Sequence, residues 1–356
     1  MKILLLSKTY YPNSYGGIEK FIEQLTYVNG KKYSLTICSI HNQNTIKSKK
    51  INNIHLLYYP KTFELSSNSF SLKLLFNFKK IANEHDLIIY NYPWPFQDLL
   101  SFLTNKKYIV VYHSDIVRQK ILKYVYYFFI RSKFLKNASS VIFTTNTYWK
   151  ITDCPKNILQ NYQIINLGIK NYKLQNTKTK FNDYILFIGV LRKYKAIDAL
   201  IEISNITKKR IVIIGKSKDY SQKTFKNSKY ISYLGEVSES TKYNYLQNCK
   251  FLILPSNQKS EAFGIVLLEA ISLKKPLIVN KNNTGTKEVC INNYNGYMVD
   301  FKKTSTLKKK IISLYENKKV YNKFCNNSYA LYLKKFTHKM MIDRYINVFK
   351  SLELEK

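Results

Sequence analysis

Short apolar runs alternate with longer mixed stretches along the whole chain. In the first half KILLLS (2–7), SLTICSI (34–40), DLIIYN (86–91), YIVVYHS (108–114) and SVIFTT (140–145) are apolar over strand-like lengths. The second half repeats the pattern in YILFIG (184–189), RIVIIG (210–215), YISYLG (230–235), KFLILP (250–255), PLIVN (276–280) and GYMVD (296–300). Segments with helical spacing lie between most of them, among them Gly17–Tyr27, Ile197–Thr207 and Ile265–Leu273. A strand that is apolar on both faces has to be covered on both, and an intervening helix allows the next strand to pair in parallel. The two series predict an α/β chain of two doubly wound domains. The polar, Lys- and Asn-rich stretch Gln163–Asp183 separates them, which gives domains 1–165 and 166–335. Leu333–Lys356 reads as a last helix with Met340, Met341, Tyr345, Val348 and Phe349 as its apolar stripe, and 336–356 is a segment of its own.

Composition narrows the class. With 356 residues and 45% hydrophobic content the chain can bury two cores. No stretch reaches 18 apolar residues, and the run ILLL at the start is too short for a secretory leader, so it reads as a first strand. The five cysteines are scattered without a C-x-x-C pair, which favours buried thiols in a reducing, cytoplasmic setting. The net charge of +36 fits an anionic partner, but it also fits the Lys-, Asn-, Ile- and Tyr-rich composition that runs evenly along the chain. The charge therefore selects no partner. No zinc-finger spacing or aromatic RNA-binding signature is present, so a nucleic-acid partner is not expected.

In open parallel sheets ligands bind beyond the carboxyl ends of the strands, which directs attention to four junctions. The first strand leads to Gly16-Gly17 before a helix; glycines there free helix amides for an anion, or simply make a turn. His113 follows a strand, with Ser114 and Asp115 after it; it suits a substrate hydroxyl or a developing charge, and equally a structural histidine. Arg192 and Lys195 lie between the FIG strand end and a helix, as a phosphate clamp or a solvated basic turn. The fourth junction is SEAFGIVLLEA (260–270). Glu261 precedes a helix starting near Phe263–Gly264, Glu269 lies on it, and the amides of Phe263, Gly264, Ile265 and Val266 sit at its positive end. At a 1.5 Å rise the two acids are separated by about 12 Å or less, a span for one extended ligand with a diphosphate between two diols.

These blocks, in this order, resemble retaining glycosyltransferases of family 4. PSNQKSEAFGIVLLEAISLKKPLIV carries the two glutamates with seven residues between them, and YHSDIVRQK, NLGI, FIGVLRKYKAIDALIEI and TGTKEV are similar to further blocks. HSDIVRQK, VLRKYK and TGT are most like bacterial mannosyl- and rhamnosyltransferase-type members of surface polysaccharide synthesis. The resemblance covers nearly the whole chain. It implies a GT-B fold, two Rossmann-like domains facing a cleft, with the acceptor on the first, the nucleotide sugar on the second and 336–356 packing back on the first. It implies a hexose moved from a nucleoside diphosphate sugar, GDP-mannose-type favoured, to a saccharide or lipid-linked hydroxyl. By resemblance Glu261 contacts the donor sugar, the amides of Phe263 to Val266 cradle sugar and diphosphate, and Glu269 binds the ribose. Lys195, assisted by Arg192, neutralises the leaving diphosphate. His113 reaches the donor sugar, and Gly16 and Gly17 line the diphosphate and acceptor side. Where many members have arginine after the glycine of FIGVL this chain has Val190, where they have glycine after the lysine it has Ala196, and IIGKSKDY lacks a second glycine.

No D-x-D motif occurs, so neither a bridging metal nor another cofactor is expected; Arg192, Lys195 and the helix start take that part. A sugar-nucleotide epimerase of the same architecture, a catalytically weak subunit and a non-catalytic basic binding protein are the rival readings. Gln119–Lys136 mixes aromatic and basic residues, which suits peripheral contact with an anionic inner membrane face, or a buried helix with solvated lysines.

Overall fold

The computed structural model describes the chain except residues 15, 31, 66–67, 117–123, 173–178, 222, 227, 259–262, 283 and 355–356. It divides into two compact units: Met1–Gly168 with His338–Lys356, and Ile169–Thr337. The C-terminal helix His338–Leu354 therefore belongs to the first unit, where it buries Met341, Tyr345, Val348 and Phe349.

The first unit is built on ten strands: β1 (Lys2–Ser7), β2 (Ser34–His41), β3 (Lys47–Ile51), β4 (Ile54–Pro60), β5 (Phe63–Leu65), β6 (Asn68–Phe70), β7 (Leu87–Tyr92), β8 (Tyr108–Tyr112), β9 (Ser140–Phe143) and β10 (Tyr162–Ile164). Eight of them form one sheet in the order β10-β9-β8-β7-β1-β2-β4-β3, while β5 and β6 pair separately. Every pairing in the large sheet is parallel except β3 with β4. β1, β2, β7, β8 and β9 are the strands that the apolar runs predict. β3, β5, β6 and β10 carry no such run: KSKKI is exposed throughout, and β10 has only three residues, none of them buried. β4, IHLLYYP, is apolar with four buried residues but lies outside the predicted runs.

The second unit holds β11 (Ile185–Ile188), β12 (Ile211–Ile214), β13 (Ile231–Gly235), β14 (Phe251–Leu254), β15 (Leu277–Asn280) and β16 (Gly296–Val299). Their order is β13-β12-β11-β14-β15-β16, and all pairs are parallel. Each matches an apolar run. Counted within the unit this is the 3-2-1-4-5-6 order of a doubly wound sheet, whose direction of winding reverses between β11 and β14. Helices Ile197–Thr207, Glu239–Asn248, Ile265–Ser272, Thr304–Glu316 and Lys318–Lys335 belong to this unit. Cys38, Cys154, Cys249 and Cys290 are buried free thiols and Cys325 is half-buried; burial pushes the first three up to about 12.

Candidate active site

The winding reversal of the second sheet brings two of the predicted junctions side by side. After β11 the chain passes Gly189, whose N–H donates to Ile214 O at 2.9 Å, and then makes the 3-10 turn Lys193–Lys195. Lys195 is buried, and its ammonium stands beside the strand end: a Cβ built on Gly189 would lie 3.8 Å from Nζ. Arg192 is half-buried, and its carbonyl accepts the Lys195 N–H at 2.8 Å. Ala196 then turns the chain into helix Ile197–Thr207 with a left-handed backbone, φ +46° and ψ +48°. A Cβ there costs about 1–2 kcal/mol, partly offset by the freedom glycine regains in the unfolded chain. Ala196→Gly is therefore expected to raise stability by about 0.5–1 kcal/mol, read as a higher denaturant midpoint.

After β14 lies the second junction. Glu261 falls outside the described residues. Phe263 is buried edge-on against Phe336, with ring centroids 6.0 Å apart. The helix begins at Ile265, slightly later than the sequence suggests, so the Phe263 and Gly264 amides belong to the loop before it. Gly264 caps the start with φ +77°, and a Cβ there would stand 3.2 Å from Leu267 Cδ1 and 3.3 Å from Leu254 Cδ2. Leu267 N–H bonds Gly264 O at 2.8 Å, which leaves Ile265 and Val266 as the first amides of the positive helix end.

Glu269 is the fifth residue of that helix and is 3% exposed. Lys242 Nζ donates to its Oε1 at 2.8 Å and Tyr243 Oη to the same oxygen at 3.1 Å. Both donors come from helix Glu239–Asn248. Lys242 also reaches Glu239, 2.9 Å away, and the Tyr243 ring lies flat on Tyr172 with centroids 3.7 Å apart. Burial pulls the Lys242 ammonium down, but the Glu269 and Glu239 carboxylates more than reverse this and its pKa lies above the ordinary lysine value. Sequence reasoning missed Lys242, Tyr243 and Tyr172. Helix Glu239–Asn248 is polar with weak periodicity, and in a chain so rich in lysine and tyrosine neither residue type stands out.

The two junctions of the first unit read differently. Gly16 and Gly17 open a helix, Gly17–Leu25, and the Glu19 carboxylate lies beside Gly16. A Cβ on Gly16 would meet Glu19 Oε2 at 2.7 Å, and Thr9 Oγ1 donates to Oε1 at 2.7 Å. The Glu19 carboxylate thus stands near this helix start, but it accepts from Thr9 and caps none of the described helix amides. His113 follows β8. Asn91 Nδ2 donates to Leu6 O at 2.8 Å, which turns Asn91 Oδ1 toward His113 Nε2, 2.9 Å away. The Nε2 nitrogen therefore carries the proton and Nδ1 carries the lone pair. Burial pushes the imidazole down to about 3, so His113 is neutral near pH 7 and can accept a hydroxyl proton in a hydrogen bond but not act as a standing cation. Asp115 turns inward instead, accepting from Tyr112 Oη at 2.8 Å and Thr152 Oγ1 at 2.5 Å.

Residues 169–331 match the family described as Glycosyl transferases group 1. Over 99% of both chains the protein is 28% identical to O-antigen chain mannosyltransferase C of Escherichia coli. It is 29% identical to D-rhamnosyltransferase WbpZ of Pseudomonas aeruginosa, over 95% of this chain and 92% of that one. The chain is a glycosyltransferase. Its fold is GT-B: sucrose-phosphate synthase from Thermosynechococcus elongatus superposes with a TM-score of 0.78 at 14% identity over 100% of both chains. HepE of Anabaena in complex with UDP-glucose does so with 0.76 at 16% identity, over 99% of this chain and 100% of that one.

In this glycosyltransferase the second unit carries Arg192, Lys195, Phe263, Gly264, Ile265, Val266 and Glu269, while Gly16, Gly17 and His113 lie on the first. Lys195 and the Ile265 helix start come from adjacent strands of one sheet. Fixed positive charge arriving from both sides of a winding reversal is suited to a phosphate-bearing ligand.

Proposed function

We propose that the glycosyltransferase moves a hexose from a nucleoside diphosphate sugar, GDP-mannose-type favoured, to a hydroxyl of a saccharide or lipid-linked acceptor in cell-surface polysaccharide synthesis. The observation that carries the donor reading is the pairing of buried Lys195 after β11 with the helix start at Ile265 after β14. As the bond to the sugar breaks, negative charge grows on the diphosphate; a fixed ammonium and helix amides stabilise it without having to reorient. Lys195, Arg192 and that helix start take the part a divalent cation would otherwise play, and Glu269 holds the ribose. Glu261 and neutral His113 address the donor sugar. Mannose, and placement in surface polysaccharide assembly, are supported by the name of the Escherichia coli relative, an O-antigen chain mannosyltransferase, and transfer of a hexose-type sugar also by that of the Pseudomonas relative, a D-rhamnosyltransferase. Retention at the anomeric carbon and membership of family 4 rest on the motif order alone.

The test is donor binding by the full chain in the presence of a metal chelator. GDP-mannose, UDP-sugars and dTDP-sugars are titrated in turn, and slow hydrolysis of the donor is followed. One of them should bind and stabilise the chain against heat. Binding of none removes the proposal, and binding that needs a divalent ion removes its metal-free part.

Peripheral membrane contact is a second element of the proposal. No helix among the described residues is long and apolar enough to span a bilayer. Residues 119–123 of the basic aromatic segment lie outside the description, but 124–136 are helical and divided between two faces. Arg131, Phe134 and Leu135 are buried, while Tyr124 (73%), Val125 (59%), Phe128 (77%) and Phe129 (67%) are exposed. Exposed aromatics on a chain of net charge +36 fit an anionic bilayer surface. The chain should sediment with phosphatidylglycerol vesicles at low salt and not with neutral phosphatidylcholine vesicles, and Phe128→Ser with Phe129→Ser should weaken this at least about tenfold. Equal sedimentation of the double variant removes the contact.

A further inference from the structure

We infer that Lys242 is a positioning residue for the ribose end of the donor, and that through Glu269 it sets the preference for a ribonucleotide over a deoxynucleotide. The inference rests on the reading that Glu269 receives the ribose. A glutamate side chain has three rotatable bonds, and a diol reader is useful only when its carboxylate is held still. Here both anchoring bonds, from Lys242 at 2.8 Å and Tyr243 at 3.1 Å, fall on Oε1, and Oε2 takes no hydrogen bond from the described residues. One oxygen is thereby clamped and the other is left with both lone pairs for a pair of hydroxyls.

Lys242 is itself fixed. It is gripped by Glu239 one helical turn earlier at 2.9 Å, lies 4.6 Å from the Tyr243 ring centroid, and is 13% exposed. Tyr243 in turn rests on Tyr172 in a near-parallel stack, 4° from coplanar. The arrangement also keeps the right charge. Two carboxylates against one ammonium leave the cluster anionic, so Glu269 remains a strong acceptor while its repulsion of a diphosphate is reduced. Lys242 touches Glu269 and not the ribose, so its contribution is to hold and aim.

The test compares the affinities of the full chain for GDP and UDP with those for their 2′,3′-dideoxy counterparts. The wild type should prefer the ribose form of the base it accepts by about 30-fold, the worth of hydrogen bonds to a carboxylate. Lys242→Met should reduce that preference to about threefold or less, with dideoxy affinity unchanged, and Lys242→Arg should restore most of it. Should the methionine variant not fold, Lys242→Gln serves, with the preference lowered at least about threefold and dideoxy affinity kept. Retention of the full ribose preference in a folded Lys242→Met or Lys242→Gln protein overturns the inference. So does an equal loss for both probes, which is the mark of a merely structural lysine. Glu269→Gln separates the two levels: if it too keeps the preference, the ribose reading of Glu269 fails and the inference falls with it. If it alone loses the preference, only the role of Lys242 is lost.

Discussion

Glu269→Gln is expected to weaken binding of the accepted nucleoside diphosphate by about 30-fold, because in the proposed ribose role of Glu269 two hydroxyl bonds to a carboxylate become weaker bonds to an amide. About 2 kcal/mol of binding free energy corresponds to that factor. The amide has the volume of the acid, so the helix and the Lys195 side of the site stay in place, and the loss should be confined to ligands that carry the ribose hydroxyls. Stability should fall as well. Lys242 loses its buried counterion and, among the described residues, keeps the more exposed Glu239. Removing one partner of a buried pair costs about 3–5 kcal/mol when nothing replaces it, and the surviving Glu239 bond should limit the loss to about 2 kcal/mol. Isothermal titration gives the affinity and thermal unfolding the stability. An unchanged dissociation constant for both GDP and UDP would mean that Glu269 is a structural acid whose business is with Lys242 alone.

What could be read from the chain, and what could not, follows from how each feature is encoded. Strands buried on both faces advertise themselves as apolar runs, so β1, β2, β7, β8, β9 and all six strands of the second sheet were legible. β3 was not, because it is an edge strand whose residues all face water, and the lysines that guard such an edge against further pairing look like loop. Positions at strand ends were legible as well: Lys195 and the start of the Ile265 helix lie where the alternation of runs places them. Side-chain partnerships across helices were not. Nothing in KYNY at 242–245 says that its first two residues meet Glu269, since that contact depends on how two helices pack on one face of a sheet. Gly16-Gly17 shows the converse. The helix starts where the glycine pair places it, but nothing in the pair tells that the Glu19 carboxylate, three residues beyond Gly16, stands beside it. His113 likewise depended on a distant group, Asn91, to settle its tautomer.

Gly215→Ala is expected to be the most damaging small substitution in the second unit, lowering its melting temperature by about 10 °C. The Cβ it adds would lie 2.1 Å from Gly189 O and 2.7 Å from Gly189 C, distances at which no real carbon sits. Both are backbone atoms of the neighbouring strand end, so no side chain can swing aside. Nor can β12 retreat: it is paired to β11 through Ile188 and Ile214, and on its other side Gly215 N–H bonds Gly235 O at 2.7 Å. The backbone adds its own penalty, since φ is +137°. Strain of about 1–3 kcal/mol and overpacking of about 1–3 kcal/mol together suggest about 4 kcal/mol, much of the stability a single domain possesses. Gly264→Ala makes the useful contrast. Its nearest neighbours are leucine side-chain carbons at 3.2 and 3.3 Å, which can yield by a few tenths of an ångström, so the cost is mainly that of φ +77°, about 1–2 kcal/mol. The functional order should be reversed relative to the energetic one at temperatures where both variants are folded. Gly264→Ala displaces the amides of Ile265 and Val266 and should impair binding of a nucleoside diphosphate directly. Gly215→Ala impairs it only as far as it forces β11 and Lys195 away from β14. Thermal unfolding of the two variants side by side tests this: a Gly215→Ala protein melting within about 2 °C of the wild type would show that the strand ends part without cost and that the close approach of Gly189 and Gly215 is not what holds the β11 side of the site.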